Sequence, residues 1–278
     1  MTDLAEELRD LAVDIARGAA EIIVEKRRAL GDIREYATTK SSAVDPVTVV
    51  DTLAEEYIAG ELGRRRPEDG LIGEEGSRHT SGSGISWIID PIDGTVNFLY
   101  GIPHFAVSLA AARDGKVIAG AVIDVSSRAV YHAVAGGGAF VDVDGERHEL
   151  RVNAPRSLGE SLVATGFAYT SARREAQARI LSSVLPRVRD IRREGSAALD
   201  LCSLAAGRVD IYYEHGINCW DYAAGALIAE EAGARVQTPA LSAPGSEGNL
   251  VWAAAPSVAE DFRAAMEAEG ALAPLRQR

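Results

Sequence analysis

The residues best suited to chemistry fall in one run, Trp87-Ile88-Ile89-Asp90-Pro91-Ile92-Asp93-Gly94-Thr95-Val96-Asn97. Ser86 to Ile89 is apolar and β-prone, which predicts a buried strand ending in a carboxylate, Asp90. Pro91 has no N–H to give, so sheet pairing should stop there. Asp93 follows across the turn. Gly94 and Thr95 stand where a helix begins, with backbone N–H groups available to an anion. Two acids and a hydroxyl beside a phosphate-sized nest are hard oxygen ligands of the kind that suit Mg²⁺. An Asp-Pro turn followed by an N-cap accounts for one acid and the threonine. It leaves unexplained a second acid at the mouth of a strand apolar enough to be buried.

Further acids lie on either side. Residues 72–75 read Ile-Gly-Glu-Glu, residues 39–51 read Thr-Lys-Ser-Ser-Ala-Val-Asp-Pro-Val-Thr-Val-Val-Asp, and residues 214–221 read Glu-His-Gly-Ile-Asn-Cys-Trp-Asp. Each segment alone says little; in this order they are specific. With Gly73-Glu74-Glu75, Trp87–Asn97, Gly195-Ser196-Ala197-Ala198 and Trp220-Asp221-Tyr222-Ala223-Ala224-Gly225, the chain resembles the inositol monophosphatase family of Mg²⁺-dependent, lithium-sensitive phosphatases.

The resemblance implies roles residue by residue. Glu74, Asp90 and the Ile92 carbonyl would hold one Mg²⁺. Asp90, Asp93 and Asp221 would hold a second, with Asp90 bridging, and a third, weaker ion would lean on Glu74. Thr95, with Asp51 behind it, would orient the attacking water, and Lys40 would lie in a mobile loop near the site. The substrate would rest against Asp93, Gly94, Thr95, Gly195, Ser196, Ala197, Glu214 and Asp221, with Glu214 accepting from polyol hydroxyls. The implied fold is α+β / α/β, a five-layer αβαβα sandwich of the inositol monophosphatase / fructose-1,6-bisphosphatase type. A homodimer is implied as well.

The elements that must place these residues are legible by periodicity. Residues 3–29 carry apolar positions at helical spacing, and residues 48–64 repeat the pattern. Phe105–Ala112, Lys116–Asp124, Ala129–Ala135 and Ala139–Val143 read as successive strands separated by Asp-Gly, Ser-Ser and Gly-Gly-Gly turns, which predicts a mostly antiparallel sheet. Beyond 150 strands and helices alternate: Leu162–Thr165, Arg173–Leu185, Val188–Arg192, Ser196–Ala206, Val209–Tyr213, a helix from Tyr222 to Ala232, a strand Ala234–Gln237 and a helix Val258–Ala268. Two halves are expected, 1–150 with most metal ligands and 151–278 with the substrate pocket and one ligand, sharing an extensive interface.

The 278 residues, 47% hydrophobic and 25% charged, suit a globular enzyme with a large core. A net charge of −12 argues against direct nucleic-acid binding, which wants a basic face. No apolar run is long enough for a membrane span. The two cysteines make no disulfide framework, and the acidic first residues lack a secretory pattern, so a reduced, cytoplasmic setting is expected. The five histidines show no metal-ligand spacing, with only His215 placed to border the site. The leading expectation is hydrolysis of myo-inositol monophosphate by metal-activated water. The alternatives are a phosphatase of the same fold for histidinol phosphate, fructose 1,6-bisphosphate or a 3′-phosphoadenosine nucleotide, and a protein-binding transcription regulator with residual phosphatase activity.

Overall fold

The structure, a computed structural model, describes residues 2–31, 33–39 and 46–276. Helix α1 (Thr2–Leu30) turns Leu8, Ala12, Ile15, Ala19 and Ile23 inward at helical spacing. A short hairpin, β1 (Ala37–Thr39) with β2 (Pro46–Thr48), leads into α2 (Val49–Arg65). A large sheet follows: β3 (Gly70–Gly73), β4 (Arg78–His79), β5 (Ile85–Asp93), then, after the short helix α3 (Thr95–Tyr100), β6 (Ala106–Arg113), β7 (Lys116–Asp124), β8 (Val130–Val134), β9 (Ala139–Val143) and β10 (Glu146–Glu149). Its eight strands run in the order β10-β9-β8-β7-β6-β5-β3-β4, antiparallel except for the β3–β5 pair. The hairpin turns fall where the sequence places them.

The second half supplies β11 (Leu162–Thr165), α4 (Ser171–Val184), β12 (Asp190–Arg192), α5 (Ala197–Ala205), β13 (Ile211–His215), α6 (Cys219–Glu231), β14 (Arg235–Gln237), β15 (Leu250–Ala254) and α7 (Ala259–Ala268). Its five-stranded sheet is ordered β12-β11-β13-β15-β14. Strand β15 is absent from the sequence expectation. It lies antiparallel to both β13 and β14, so this sheet is mixed rather than the product of simple β–α alternation.

The layers stack as α1/α2, large sheet, α5/α6, small sheet, α4/α7, the expected αβαβα sandwich. Three apolar cores fill the gaps. One lies between α1/α2 and the large sheet, a second around α5 and α6 between the sheets, and a third between the small sheet and α4/α7. The central core explains why α5 and α6 are rich in Ala, Leu and Gly. They are covered on both faces, and small residues let helix and sheet approach closely.

Candidate active site

Strand β5 does not stop at Asp90. Pairing with β6 runs from Ile85 to Asp90, slips, and resumes at Asp93 opposite Ala106. Pro91 and Ile92 occupy the resulting bulge, so the proline interrupts the ladder without ending the strand. The bulge aims both acids at one place. Asp90 is buried with its Oδ1 accepting from the Ile92 N–H at 3.0 Å, and Asp93 is buried with its Oδ2 facing α5. The Ile92 carbonyl, freed from sheet pairing, accepts from the Thr95 hydroxyl at 3.0 Å. Gly94 is the N-cap of α3, and Thr95 is its first residue.

Helix α2 brings Asp51 up to Thr95. Thr48 caps it: its Oγ1 accepts from the Val50 N–H, and the Thr48 N–H donates to Asp51 Oδ2 at 2.9 Å. Asp51 is therefore a buried part of the helix cap and not a surface acid. Its Oδ1 lies 3.2 Å from Thr95 Oγ1 and shares that one hydroxyl proton with the Ile92 carbonyl. Donating to Asp51 leaves the lone pairs of the Thr95 hydroxyl for a water proton.

One turn further along α2, Glu55 does a job the sequence reading missed. Its buried carboxylate accepts from the Glu75 N–H at 2.8 Å and from the Ser77 N–H at 2.9 Å. That grips the loop carrying Glu74. Gly73 is needed for this approach, because a Cβ there would stand 2.6 Å from the Glu55 carboxylate. The signal was available: Asp51 and Glu55 are four apart on one face of a helix whose other inward residues are apolar.

The second half contributes two helix starts. Ser196 caps α5, and its Oγ donates to Asp93 Oδ2 at 2.5 Å while the Ala198 N–H donates to the same oxygen at 2.7 Å. Asp93 from the first half thus sits on the N-terminus of a helix from the second. Asp221 lies within the first turn of α6, which begins at Cys219 and not at Tyr222. Its Oδ2 accepts from the Asn218 N–H at 2.5 Å.

Asp90, Asp93 and Asp221 bring carboxylate oxygens within 4.8 Å of one another. Glu74 lies against Asp90. Burial first, then the charges of Glu74, Asp93 and Asp221, push Asp90 well above the usual carboxylate range. Burial does the same to Asp221, with Glu74 and Asp93 next. Asp93 is pushed up to about 6 by burial, held back by the Ser196 and Ala198 hydrogen bonds. So many acids packed together fit a divalent cation: its charge would remove the cost that otherwise holds protons on them.

These residues line a cavity of ≈ 550 Å³ together with Gly94, Thr95, Gly195, Ser196, Ala197, Glu214 and His215. Glu214, at the end of β13, accepts from the Tyr212 hydroxyl at 3.0 Å, and burial lifts its pKa to about 7. Gly166 makes room for it, since a Cβ there would lie 2.1 Å from Glu214 Oε2. His215 borders the cavity but turns its Nε2 to the Ala271 carbonyl at 2.8 Å. Cys202 and Cys219 are buried free thiols, as small core residues. Lys40 and Asp45 lie outside the described residues.

With this geometry the comparisons agree. The model of the inositol monophosphatase family matches residues 4–276. The chain belongs to the inositol monophosphatase family. A Mycobacterium tuberculosis protein named inositol-1-monophosphatase SuhB is 47% identical over 281 residues, 96% of each chain. A Pasteurella multocida protein named Nus factor SuhB is 39% identical over 229 residues, 82% of this chain and 83% of that one. Among solved structures, Mycobacterium tuberculosis SuhB superposes with a TM-score of 0.83 at 44% identity, covering 96% of this chain and 98% of that one. The inositol monophosphatase fold is therefore established, and phosphatase chemistry at a metal-binding acidic cluster goes with the family. Among the described residues no helix is long and apolar enough to cross a membrane.

Proposed function

We propose that the chain is a Mg²⁺-dependent phosphoric monoester hydrolase that converts myo-inositol monophosphate to myo-inositol and phosphate. The observation that carries this reading is the convergence of Asp90, Asp93 and Asp221 on one point, beside a threonine hydroxyl backed by a buried carboxylate. Glu74, Asp90, the Ile92 carbonyl, Asp93 and Asp221 would hold the ions, and all-oxygen donors favour Mg²⁺ over softer metals. When bound, such ions neutralise phosphoryl oxygens and make a water more acidic.

The protein's own groups do the rest. Thr95 accepts a hydrogen bond from the attacking water while its own hydroxyl points to Asp51, which fixes the water's orientation. Asp51 is itself fixed by the α2 cap, so the pair enters the reaction already aligned. The N–H groups of Gly94 and Thr95, at a helix start, face the phosphate. Glu214 accepts from ring hydroxyls, and Gly195, Ser196 and Ala197 form a wall with little side-chain bulk. A cavity of ≈ 550 Å³ has room for a polyol ring. Residues 1–150 and 151–278 are read as the metal-rich and substrate-bearing halves, assembled as a homodimer in a cytoplasmic setting.

A panel of inositol 1-phosphate, histidinol phosphate, fructose 1,6-bisphosphate and 3′-phosphoadenosine 5′-phosphate, scored by released phosphate, tests the substrate. Inositol 1-phosphate should have the highest kcat/KM; preference for another ester would replace it. The name of the Pasteurella relative supports a second reading, a protein-binding role in transcription. A Glu74→Ala variant separates the two, because partner capture should survive loss of metal and catalysis should not.

A further inference from the structure

A second group of ligating side chains lies beside the cavity wall, outside the aspartate cluster. His104 comes from the loop before β6, Glu194 from the loop after β12, and Asp200 from the first turn of α5. Their ligand atoms lie within 4.8 Å of one another. His104 Nε2 stands 3.6 Å from Glu194 Oε2 and 4.0 Å from Asp200 Oδ1, both beyond hydrogen-bond distance. Asp200 is only 2% exposed, and among the described residues neither its Oδ1 nor His104 Nε2 has a hydrogen-bond partner. Buried polar atoms left like this are costly, and here two of them face one small space.

We propose that His104, Glu194 and Asp200 form a second cation site, for a divalent first-row transition metal such as Zn²⁺, Mn²⁺ or Co²⁺. One imidazole nitrogen with two carboxylates is a donor set for those ions and a poor one for Mg²⁺. Tetrahedral Zn²⁺ bonds of about 2.0–2.2 Å hold ligand atoms roughly 3.3–3.6 Å apart; the His104–Glu194 pair already fits at 3.6 Å, the His104–Asp200 pair at 4.0 Å lies slightly wide, and all three atoms stay within 4.8 Å. Burial lowers the His104 pKa, which keeps the ring neutral and able to ligate. The backbone is braced for the purpose. Asn97 Nδ2 donates to the His104 carbonyl at 2.8 Å and to the Glu194 carbonyl at 2.7 Å, pinning the two loops side by side. An ion there would tie both loops to α5, whose cap Ser196 holds Asp93. It would therefore stiffen the wall that carries Gly195, Ser196 and Ala197.

The test is a Co²⁺ titration of the full chain carrying Asp90→Asn and Asp221→Asn, with excess Mg²⁺ present, followed by visible absorption and calorimetry. One Co²⁺ equivalent with a histidine-ligand spectrum should bind. His104→Gln on that background should abolish it. Loss of an outer-shell partner already weakens metal sites about 10–100-fold, so Glu194→Gln, at a half-exposed position safe for folding, should raise the Kd at least about tenfold. No bound Co²⁺, or equal binding in all three proteins, would overturn the site.

Discussion

Glu74 and Glu214 line the same cavity, and they should respond to substitution in different ways. Glu74 lies in the acid cluster that every phosphate ester would need, so Glu74→Gln should abolish turnover on all of them. In the proposed reading, Glu214 meets only the alcohol portion of the ester. Glu214→Ala should raise KM for inositol 1-phosphate roughly ten- to a hundredfold, the worth of one charged hydrogen bond at about 1.5–3 kcal/mol. Turnover of glycerol 2-phosphate should be spared. An equal loss on both esters would move Glu214 into the catalytic machinery and remove the support for a polyol substrate. His215 makes a separate prediction, on stability. Burial pushes its pKa down to about 4, whereas in the unfolded chain it titrates at about 6.5. Between those values the unfolded chain binds a proton that the fold does not. Its contribution is therefore complete above pH ~6.5 and is lost as pH falls towards 4. Urea unfolding at pH 7 and pH 5 should show a loss of about 2 kcal/mol that His215→Gln does not share. Equal losses in both proteins would rule His215 out as the source.

At the scale of elements, the proposed catalytic groups are held by helix starts and one strand bulge. Glu55 on α2 clamps the Glu74 loop from beneath. Glu55→Ala leaves two half-buried N–H groups without their acceptor, which should cost about 1–3 kcal/mol in denaturant unfolding and lower kcat with little change in KM for small esters. Unchanged kcat would mean that the loop is held without it. Gly166→Ala should mimic Glu214→Ala, because the new methyl would collide with that carboxylate. Elements with a strong period were legible in the sequence: α1, α2 and the strands from β6 to β9 fall within a residue or two of expectation. Strand β15 was not, because Leu-Val-Trp-Ala-Ala has no alternation and is covered on both faces. The start of α6 was set three residues late, since Cys219 and Trp220 looked like a turn before they were seen capped by Asn218. The acids of the site were named because their spacing is local. Glu55, Asp200 and His104 were missed because their partners are distant in sequence, brought near only by packing.

Across the whole molecule, the fold joins two halves around acids that repel one another. Asp90 and Asp93 come from the large sheet and Asp221 from the helix layer between the sheets, so the cluster exists only when both halves are assembled. Without metal this repulsion should weaken the fold, and a bound cation should reverse the effect. Asp90→Asn should therefore raise the Tm of chelated protein while removing its response to Mg²⁺. In the unaltered protein, Mg²⁺ at a hundredfold excess over Kd should add about 2.7 kcal/mol, or roughly 5–10 °C in Tm. A lower Tm for the chelated variant would show that the cluster is not under repulsion. The most direct measurement is phosphate release from inositol 1-phosphate by chelated protein as Mg²⁺ is restored, run beside Asp221→Asn. The account predicts no release in chelator, recovery with Mg²⁺, and in the variant a weaker Mg²⁺ response and lower turnover with the fold intact. Full activity in excess chelator, or an Asp221→Asn variant with unchanged Mg²⁺ dependence, would contradict it.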